Sequence, residues 1–255
     1  MIKVIFERVR QGKRTIKYPM AEPVLPERFR GRPALDQSQC RPGCAACAEA
    51  CPTGALKCGD GVLSIDMGLC LFCGECEAAC GSGAIRFTRD YRLASKDRHA
   101  LVLRSGEDTE RKLVRQLDDE MKRLFGRSLR LREVSAGGCG ACEADVNVLS
   151  TVVFDLGRFG VDFVASPRHA DGLLITGPVT GNMRLALQKT YDAVPSPKIV
   201  IASGACAISG GPYEGHAEVA GGASPVLPVD LYIPGCPPHP ITILDGLLGM
   251  LGRLK

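Results

Sequence analysis

The cysteines of this 255-residue chain, thirteen in all, are not scattered. Eight fall in two short runs: Cys40, Cys44, Cys47 and Cys51, then Cys70, Cys73, Cys76 and Cys80. The second run reads C-x2-C-x2-C-x3-C and the first C-x3-C-x2-C-x3-C-P. Thiols this tightly spaced suit a cuboidal iron–sulfur cluster, in which each iron takes one thiolate. A structural zinc more often takes pairs of ligands separated by a longer loop. In the two-cluster pattern the fourth cysteine of each run serves the other cluster. One set is then Cys40, Cys44, Cys47 and Cys80, and the other Cys70, Cys73, Cys76 and Cys51. Two departures from the usual spacing occur. An extra residue, Pro42 or Gly43, separates the first two cysteines, and Gly81 stands where a proline commonly follows Cys80. Both reshape loops and leave the ligand count intact. Cys58, in "LKCGDGVLS", is left over and reads as a free thiol in a turn.

A third set lies further along. "GGCGACEADVN" carries Cys139 and Cys142, and the two cysteines that remain are Cys206 and Cys236. Each position follows a strand-like run: "LREVSAGG", "IVIASGAC" and "LYIPGC". In a parallel α/β sheet the loops after the strand ends gather at one edge, where ligands bind. Gly138, Gly140, Gly204 and Gly235 let the backbone approach a bulky inorganic group. Zinc on the same four thiolates is the weaker reading, because the long gaps before Cys206 and Cys236 match no zinc-finger spacing. Three clusters of four ligands use every cysteine except Cys58.

Composition narrows the remaining choices. Hydrophobic residues make up 45% of the chain, enough for a packed core. No apolar run approaches the ~18 residues of a membrane span. The N-terminus has no apolar h-region, so a cytoplasmic location is expected. An odd cysteine count in such a chain argues against a disulfide framework. With no Trp and 5% aromatics, recognition of nucleic acid by base stacking is not expected. Neither a P-loop nor a strand-linked G-x-G-x-x-G is present, so nucleotide binding is not expected either. Residues 1–34 carry nine Lys or Arg against three Glu, a net +6 in a chain of +4. That segment suits either an anionic membrane surface or an acidic partner, or is a solvated arm.

Four regions follow. Residues 1–35 read as a basic, extended, proline-containing arm. Residues 36–95 hold the two runs and repeat internally, "CAACAEACPTGAL" against "CGECEAACGSGAI". Residues 96–127 form a linker in which Leu113, Leu117, Met121, Leu124 and Phe125 make one helical stripe over 107–125. That helix either joins two domains or packs on one. From residue 128, strands at "RLREVS", "VDFVAS", "GLLITG", "KIVIAS" and "DLYIPG" alternate with helices at "ACEADVNVLSTVVFDLG", "MRLALQKTYDAV" and "ITILDGLLGMLGRL". The expected architecture is an α+β ferredoxin-like two-cluster domain followed, over 128–255, by an α/β flavodoxin-like parallel-sheet domain.

Residues 128–255, through "GPVTGNM", "YDAVPSPKIVIASGAC" and "PVDLYIPGCPP", resemble the small iron–sulfur subunit shared by respiratory complex I and the membrane-bound group 4 nickel–iron hydrogenases. Complex I subunits of this kind resemble one another in two adjacent cysteines. Here Gly140 and Ala141 separate the pair, as in hydrogenase small subunits. Residues 1–100, through "YPMAEP", "FRGRP" and the two runs, resemble the polyferredoxin-like subunit of formate hydrogenlyase. The resemblance implies a fusion of two usually separate subunits and three 4Fe–4S clusters that relay electrons. As partners it implies a hydrogenase large subunit holding the nickel–iron site, membrane-arm subunits, and an upstream donor such as a formate dehydrogenase or ferredoxin, with no nucleic acid. The location implied is peripheral, on the cytoplasmic face of the inner membrane. No catalytic residue is expected on this chain. Glu143 is a proton-relay candidate by resemblance; otherwise it is an acid favoured at a helix N-terminus, worth about 0.3–1 kcal/mol. Asp145 reads as a solvated or interface charge. His239 reads as a surface-loop residue, or as one that tunes the cluster at Cys236. The "GPVTGNM" loop would approach quinone in a complex I-like protein and pack on the large subunit in a hydrogenase. The alternative functions are a 20 kDa-type subunit of a complex I-like NADH/quinone oxidoreductase without nickel, and a free ferredoxin-like carrier.

Overall fold

The computed structural model describes residues 2–41, 43–59, 62–106, 125 and 128–254. The helix expected over 107–125 lies outside the described residues apart from Phe125, which is buried. The arm is not extended throughout: Ile2–Gln11 form helix α1. The reason is spacing, since Ile2, Ile5, Phe6 and Val9 recur at the interval that lines up one helical face. That face touches nothing among the described residues, and all four side chains are exposed. Residues 12–32 carry no helix or strand.

The cysteine-rich part is built from small pieces: β1 (Pro33–Leu35), α2 (Ala46–Glu49), β2 (Leu56–Gly59), β3 (Val62–Asp66), α3 (Glu75–Ala79), β4 (Ile85–Phe87) and β5 (Val102–Arg104). β1 pairs antiparallel with β4, and β2, β3 and β5 form an antiparallel sheet in that order. The internal repeat is visible here. In each copy a short helix, α2 or α3, spans the third cysteine, and a strand, β2 or β4, follows the last.

The second part is a five-stranded sheet of β6 (Leu129–Ser135), β7 (Val161–Phe163), β8 (Gly172–Thr176), β9 (Ile199–Ser203) and β10 (Leu231–Ile233). Every pairing is parallel and the order is β10-β9-β8-β6-β7. Counted from β6 this is the flavodoxin-like order 2-1-3-4-5. β8 and β9 are buried along their whole length, which explains their unbroken apolar sequence. Helices α4 (Ala141–Val148) and α7 (Pro240–Met250) cover one face, with Leu129, Leu174, Ile199 and Ile201 beneath them. Helices α5 (Gly181–Ala193) and α6 (Ala205–Ser209) lie on the other, over Leu173, Ile175, Val200 and Ala202.

α4 is shorter than its sequence suggests. It stops at Val148, and Leu156–Phe159 form a separate 3-10 turn. Thr151, Val152 and Val153 are β-branched and weak helix formers. A tertiary partner also takes their backbone: Val152 O accepts from Thr15 Oγ1 at 2.8 Å and Val153 O from the Ile16 amide at 2.9 Å. The arm therefore competes with the helix for these groups.

The two parts share one core. Met67, Leu69 and Leu101 pack in the same apolar cluster as Ile208, Leu227 and Tyr232. Ser209 Oγ donates to Gly68 O at 3.0 Å across the seam. Ser95 and Tyr232 exchange two backbone hydrogen bonds, so the segment after β4 caps the β10 edge. The arm closes the far side. Tyr18 is buried, donates to Asp245 on α7 and stacks edge-on against Tyr91 at 6.0 Å. Tyr18→Phe leaves a buried carboxylate short of one donor. It should cost about 1–3 kcal/mol, read as a lower urea midpoint at unchanged slope.

Candidate functional site

The edge where the parallel strands end gathers the third set of cysteines. Cys139 and Cys142 follow β6, with Cys142 in the first turn of α4. Cys206 sits in the first turn of α6 after β9, and Cys236 follows β10. The backbone is pinned around them. Gly138 and Gly177 approach so closely that a Cβ on Gly177 would sit 2.5 Å from the Gly138 amide nitrogen. The Thr180 amide donates to Ala136 O at 3.1 Å. The "GPVTGNM" loop thus holds the strand end that leads to Cys139. Val179 in that loop is buried with φ +57°, an unusual backbone for a β-branched residue and one held by its surroundings. At Gly204 (φ +95°) a Cβ would stand 2.6 Å from Cys142 Sγ, so only glycine leaves that thiol its place.

Electrostatics report which thiols face one another. Cys142 interacts with Cys206, Cys236 and Cys139. Burial first, then this company, pushes the Cys206 thiol up to about 11. In the cysteine-rich part, Cys70 and Cys76 both interact with Cys51 and Cys73, and burial drives Cys70 up to about 12. Cys40 interacts with Cys58, Cys44 and Cys80, and Cys47 with Cys58 and Cys80. Cys51 thus neighbours thiols of the second run and Cys80 thiols of the first, with Cys58 beside Cys40 and Cys47 as well. Cys51 and Cys80 differ from the rest. Burial raises Cys51 and Cys80, but hydrogen bonds from the backbone and hydroxyls of Thr53 and Ser82 outweigh it and hold both thiols low.

Among the described residues, no three His, Cys, Asp or Glu side chains stand close enough to hold a single ion. A zinc ion draws its four thiolates to about 2.3 Å from one point. Four thiols that interact without crowding one point fit a larger group with one ligand per iron. The donor sets present suit iron–sulfur clusters.

The third set and the second are neighbours. Cys236 interacts with Cys73 of the other part as well as with Cys139. The cleft between them is lined by Arg28, Phe29, Arg30, Asp145, Cys236 and His239.

Several residues sit differently from expectation. His239 is not a surface-loop residue. It is half-buried, its Nδ1 accepts from the Ile241 amide at 3.2 Å as the cap of α7, and Phe29 stacks edge-on at 5.3 Å. Burial lowers its pKa. Asp145 is half-buried in the cleft, and burial raises its pKa. Cys58 is not in a turn but in β2, with its Sγ 3.7 Å from Cys47 Sγ. Glu143 accepts from Thr176 Oγ1 at 2.6 Å. Burial opposes its charge, but hydroxyl donors from Ser135 and Thr176 win and lower its pKa.

Sequence reasoning missed Glu133, one acid in the "LREVS" strand. Its Oε1 is buried and has no hydrogen-bond partner among the described residues. Burial, then the charge of Glu143, raises its carboxyl to about 7. The signal available was a lone carboxylate in an otherwise core-forming strand.

Residues 139–250 match the family described as NADH ubiquinone oxidoreductase, 20 Kd subunit, and residues 63–86 match a 4Fe-4S binding domain. The probable membrane-bound hydrogenase subunit mbhJ of Pyrococcus furiosus is 38% identical over 147 residues, 58% of this chain and 88% of that one. The chain belongs to the 20 Kd subunit family. This 20 Kd-type chain carries a 4Fe-4S binding motif upstream of the family domain, as the resemblance implied. Formate hydrogenlyase subunit 7 of Escherichia coli is 45% identical over 129 residues, and the chain spans about half of that relative, 51%. An NADH-quinone oxidoreductase subunit of Heliobacterium modesticaldum is 40% identical over 121 residues, 47% of this chain and 69% of that one. A chain from the structure of the membrane-bound sulfane sulfur reductase, an archaeal respiratory membrane complex, aligns with TM-score 0.47 and 33% identity over 54% of this chain and 76% of that one.

Glu133 gives a pH test. A carboxyl raised from 4.5 to about 7 on folding binds protons in the folded state that the unfolded state has released. The stability it contributes is full below 4.5 and is lost as pH rises to about 7. The urea midpoint should fall between about pH 5 and about pH 8, and Glu133→Gln should flatten that fall.

Proposed function

We propose that this chain is the electron-transfer iron–sulfur subunit of a membrane-associated group 4 nickel–iron hydrogenase of formate hydrogenlyase type. The observation that supports the reading is the electrostatic company the thiols keep: Cys40 with Cys44 and Cys80, Cys70 with Cys51, Cys73 and Cys76, and Cys142 with Cys139, Cys206 and Cys236, the last of which also interacts with Cys73. Cys40, Cys44, Cys47 and Cys80 would hold one 4Fe–4S cluster, Cys51, Cys70, Cys73 and Cys76 a second, and Cys139, Cys142, Cys206 and Cys236 a third. When bound, the clusters supply reversible one-electron transfer. Residues 36–95 would be the two-cluster ferredoxin-like domain, 1–35 the arm, 96–127 the linker and 128–255 the small-subunit domain.

The chain's own residues do the positioning. The strand ends fix Cys139, Cys206 and Cys236 on rigid elements, and Gly204 leaves room for the Cys142 thiol. Backbone amides and the Thr53 and Ser82 hydroxyls favour the thiolate form of Cys51 and Cys80, the form that binds iron. The shared core keeps the second and third sets at a constant separation. Glu143, whose charge acts on Cys142 and Cys206, would be the proton-relay group towards the partner's site.

The partners in this reading are a hydrogenase large subunit with the nickel–iron site, membrane-arm subunits, and a donor such as a formate dehydrogenase or ferredoxin. The relatives' names support it. The identity to an NADH-quinone oxidoreductase subunit favours a second reading, a quinone-reducing complex without nickel. Gly140 and Ala141 between the first cysteines favour the first. A complex isolated from native membranes through a tag on this chain should contain nickel, and more than the about twelve irons assigned to this chain. It should evolve hydrogen from a low-potential donor. Iron without nickel or hydrogen supports the quinone reading, and zinc in place of iron refutes both.

No helix among the described residues is long and apolar enough to cross a membrane. Attachment would instead come through α1, whose exposed Ile2, Ile5, Phe6 and Val9 stand beside Lys3, Arg8 and Arg10, on the cytoplasmic face of the membrane. Deleting residues 2–11 should move the tagged complex from the membrane fraction towards the soluble fraction at moderate salt. An unchanged distribution refutes a role for α1.

A further inference from the structure

Cys58 is the one cysteine that the three sets leave out, yet it is not isolated. Register decides where it points. Directly opposed residues in an antiparallel pair share a face, as do residues two apart in one strand. Cys58 pairs with Leu63 across the β2–β3 hairpin and lies two residues from Leu56. Leu56 and Leu63 are both buried in the core of the cysteine-rich part. Cys58 therefore lies on the same face of the hairpin as Leu56 and Leu63, at its exposed end, where its sulfur meets Cys47 Sγ at 3.7 Å. Five sulfurs, not four, surround the first site.

The distance limits what the fifth can do. Each iron of a cuboidal cluster takes one thiolate, so separate corners need well-separated sulfurs. Two sulfurs in mutual contact can address only one corner, and in alternation. We infer that Cys58 is an exchangeable ligand at the first iron–sulfur site, able to take the position of Cys47. The exchange is redox-neutral. The iron–sulfur bond to Cys47 breaks, the bond to Cys58 forms, and the proton leaving the Cys58 thiol passes to the freed Cys47 thiolate. Both residues have the anchoring that such a swap needs: Cys47 lies in α2 and Cys58 in a paired strand.

This inference rests on the iron–sulfur reading above, and one experiment separates the two. Iron and acid-labile sulfide are measured in the complex purified under nitrogen from wild type, Cys47→Ala, Cys58→Ala and the double variant. Accessible thiols are alkylated before unfolding and mapped by peptide mass. Wild type should give Cys58 as the labelled residue. Cys47→Ala should retain the wild-type iron, with Cys58 now protected. Cys58→Ala should retain it too, and the double variant should lose about four irons while keeping the rest. A loss of about four irons in Cys47→Ala, with Cys58 still labelled, overturns the exchange and leaves the iron–sulfur reading intact. Wild type without iron overturns that reading instead. If Cys47→Ala does not accumulate, Cys47→Ser is read in the same way, through protection or labelling of Cys58.

Discussion

The seam between the cysteine-rich part and the parallel sheet is the constraint on which the rest of this molecule depends. Electron exchange between two centres weakens steeply with their separation, so their holders must not drift. Here one apolar core runs through both parts, from Leu69 to Ile208 and Tyr232. The Ser209–Gly68 hydrogen bond and the Ser95–Tyr232 bridge sit on top of it. Gly68 fits this seam closely: a Cβ there would meet Ile208 at 2.7 Å. Two residues later the chain delivers Cys70, and soon after Cys73, towards Cys236. Domains joined only by a polar interface usually move relative to one another. A buried, mostly apolar seam removes that freedom.

The parallel sheet answers a related demand. In the proposed reading, four thiols drawn from three loops would have to be held to within a fraction of an ångström for a rigid inorganic group. Loops alone are poor at this, whereas strand ends are good. β6, β9 and β10 end side by side or nearly so, and the residues that follow carry the cysteines. Glycine does the rest at two places. Gly204 clears space for the Cys142 sulfur, and the Gly138–Gly177 contact locks the loop after β8 under the one after β6.

Charge is distributed with the same economy. Several of the buried thiols are pushed up by desolvation, which favours their neutral form. Cys51 and Cys80 are favoured as thiolates by local donors, and these are the two residues that would cross between sets in the proposed arrangement. Near the third set the carboxylates split their roles. Ser135 and Thr176 keep Glu143 charged, and that charge helps keep Glu133 protonated. Two acids with opposed environments are a means of holding a proton beside a charged one.

Local chemistry made much of this legible. Cysteine spacing needs no tertiary information, because thiols three residues apart share a short stretch of chain; the two runs were readable for that reason. β8, β9 and β10 were readable because burial on both faces demands unbroken apolar runs, whereas β6 and β7 alternate buried and exposed positions. The third set was readable only by elimination and by the rule that loops gather at the strand ends. Other features depended on contacts between distant residues. Cys58 looked like a turn residue because "CGDG" invites one, and only the β2–β3 pairing brings its sulfur beside Cys47. α4 stopped early because Thr15 and Ile16 of the arm claimed the backbone at Val152 and Val153. His239 became a helix cap packed on Phe29, and Glu133 became a carboxyl whose Oε1 has no partner among the described residues. The sequence by itself determined which side chains could bind and which segments would be strands. The tertiary structure decided which distant groups would meet, since the packing of a shared core depends on every element at once and is written in no single stretch of chain.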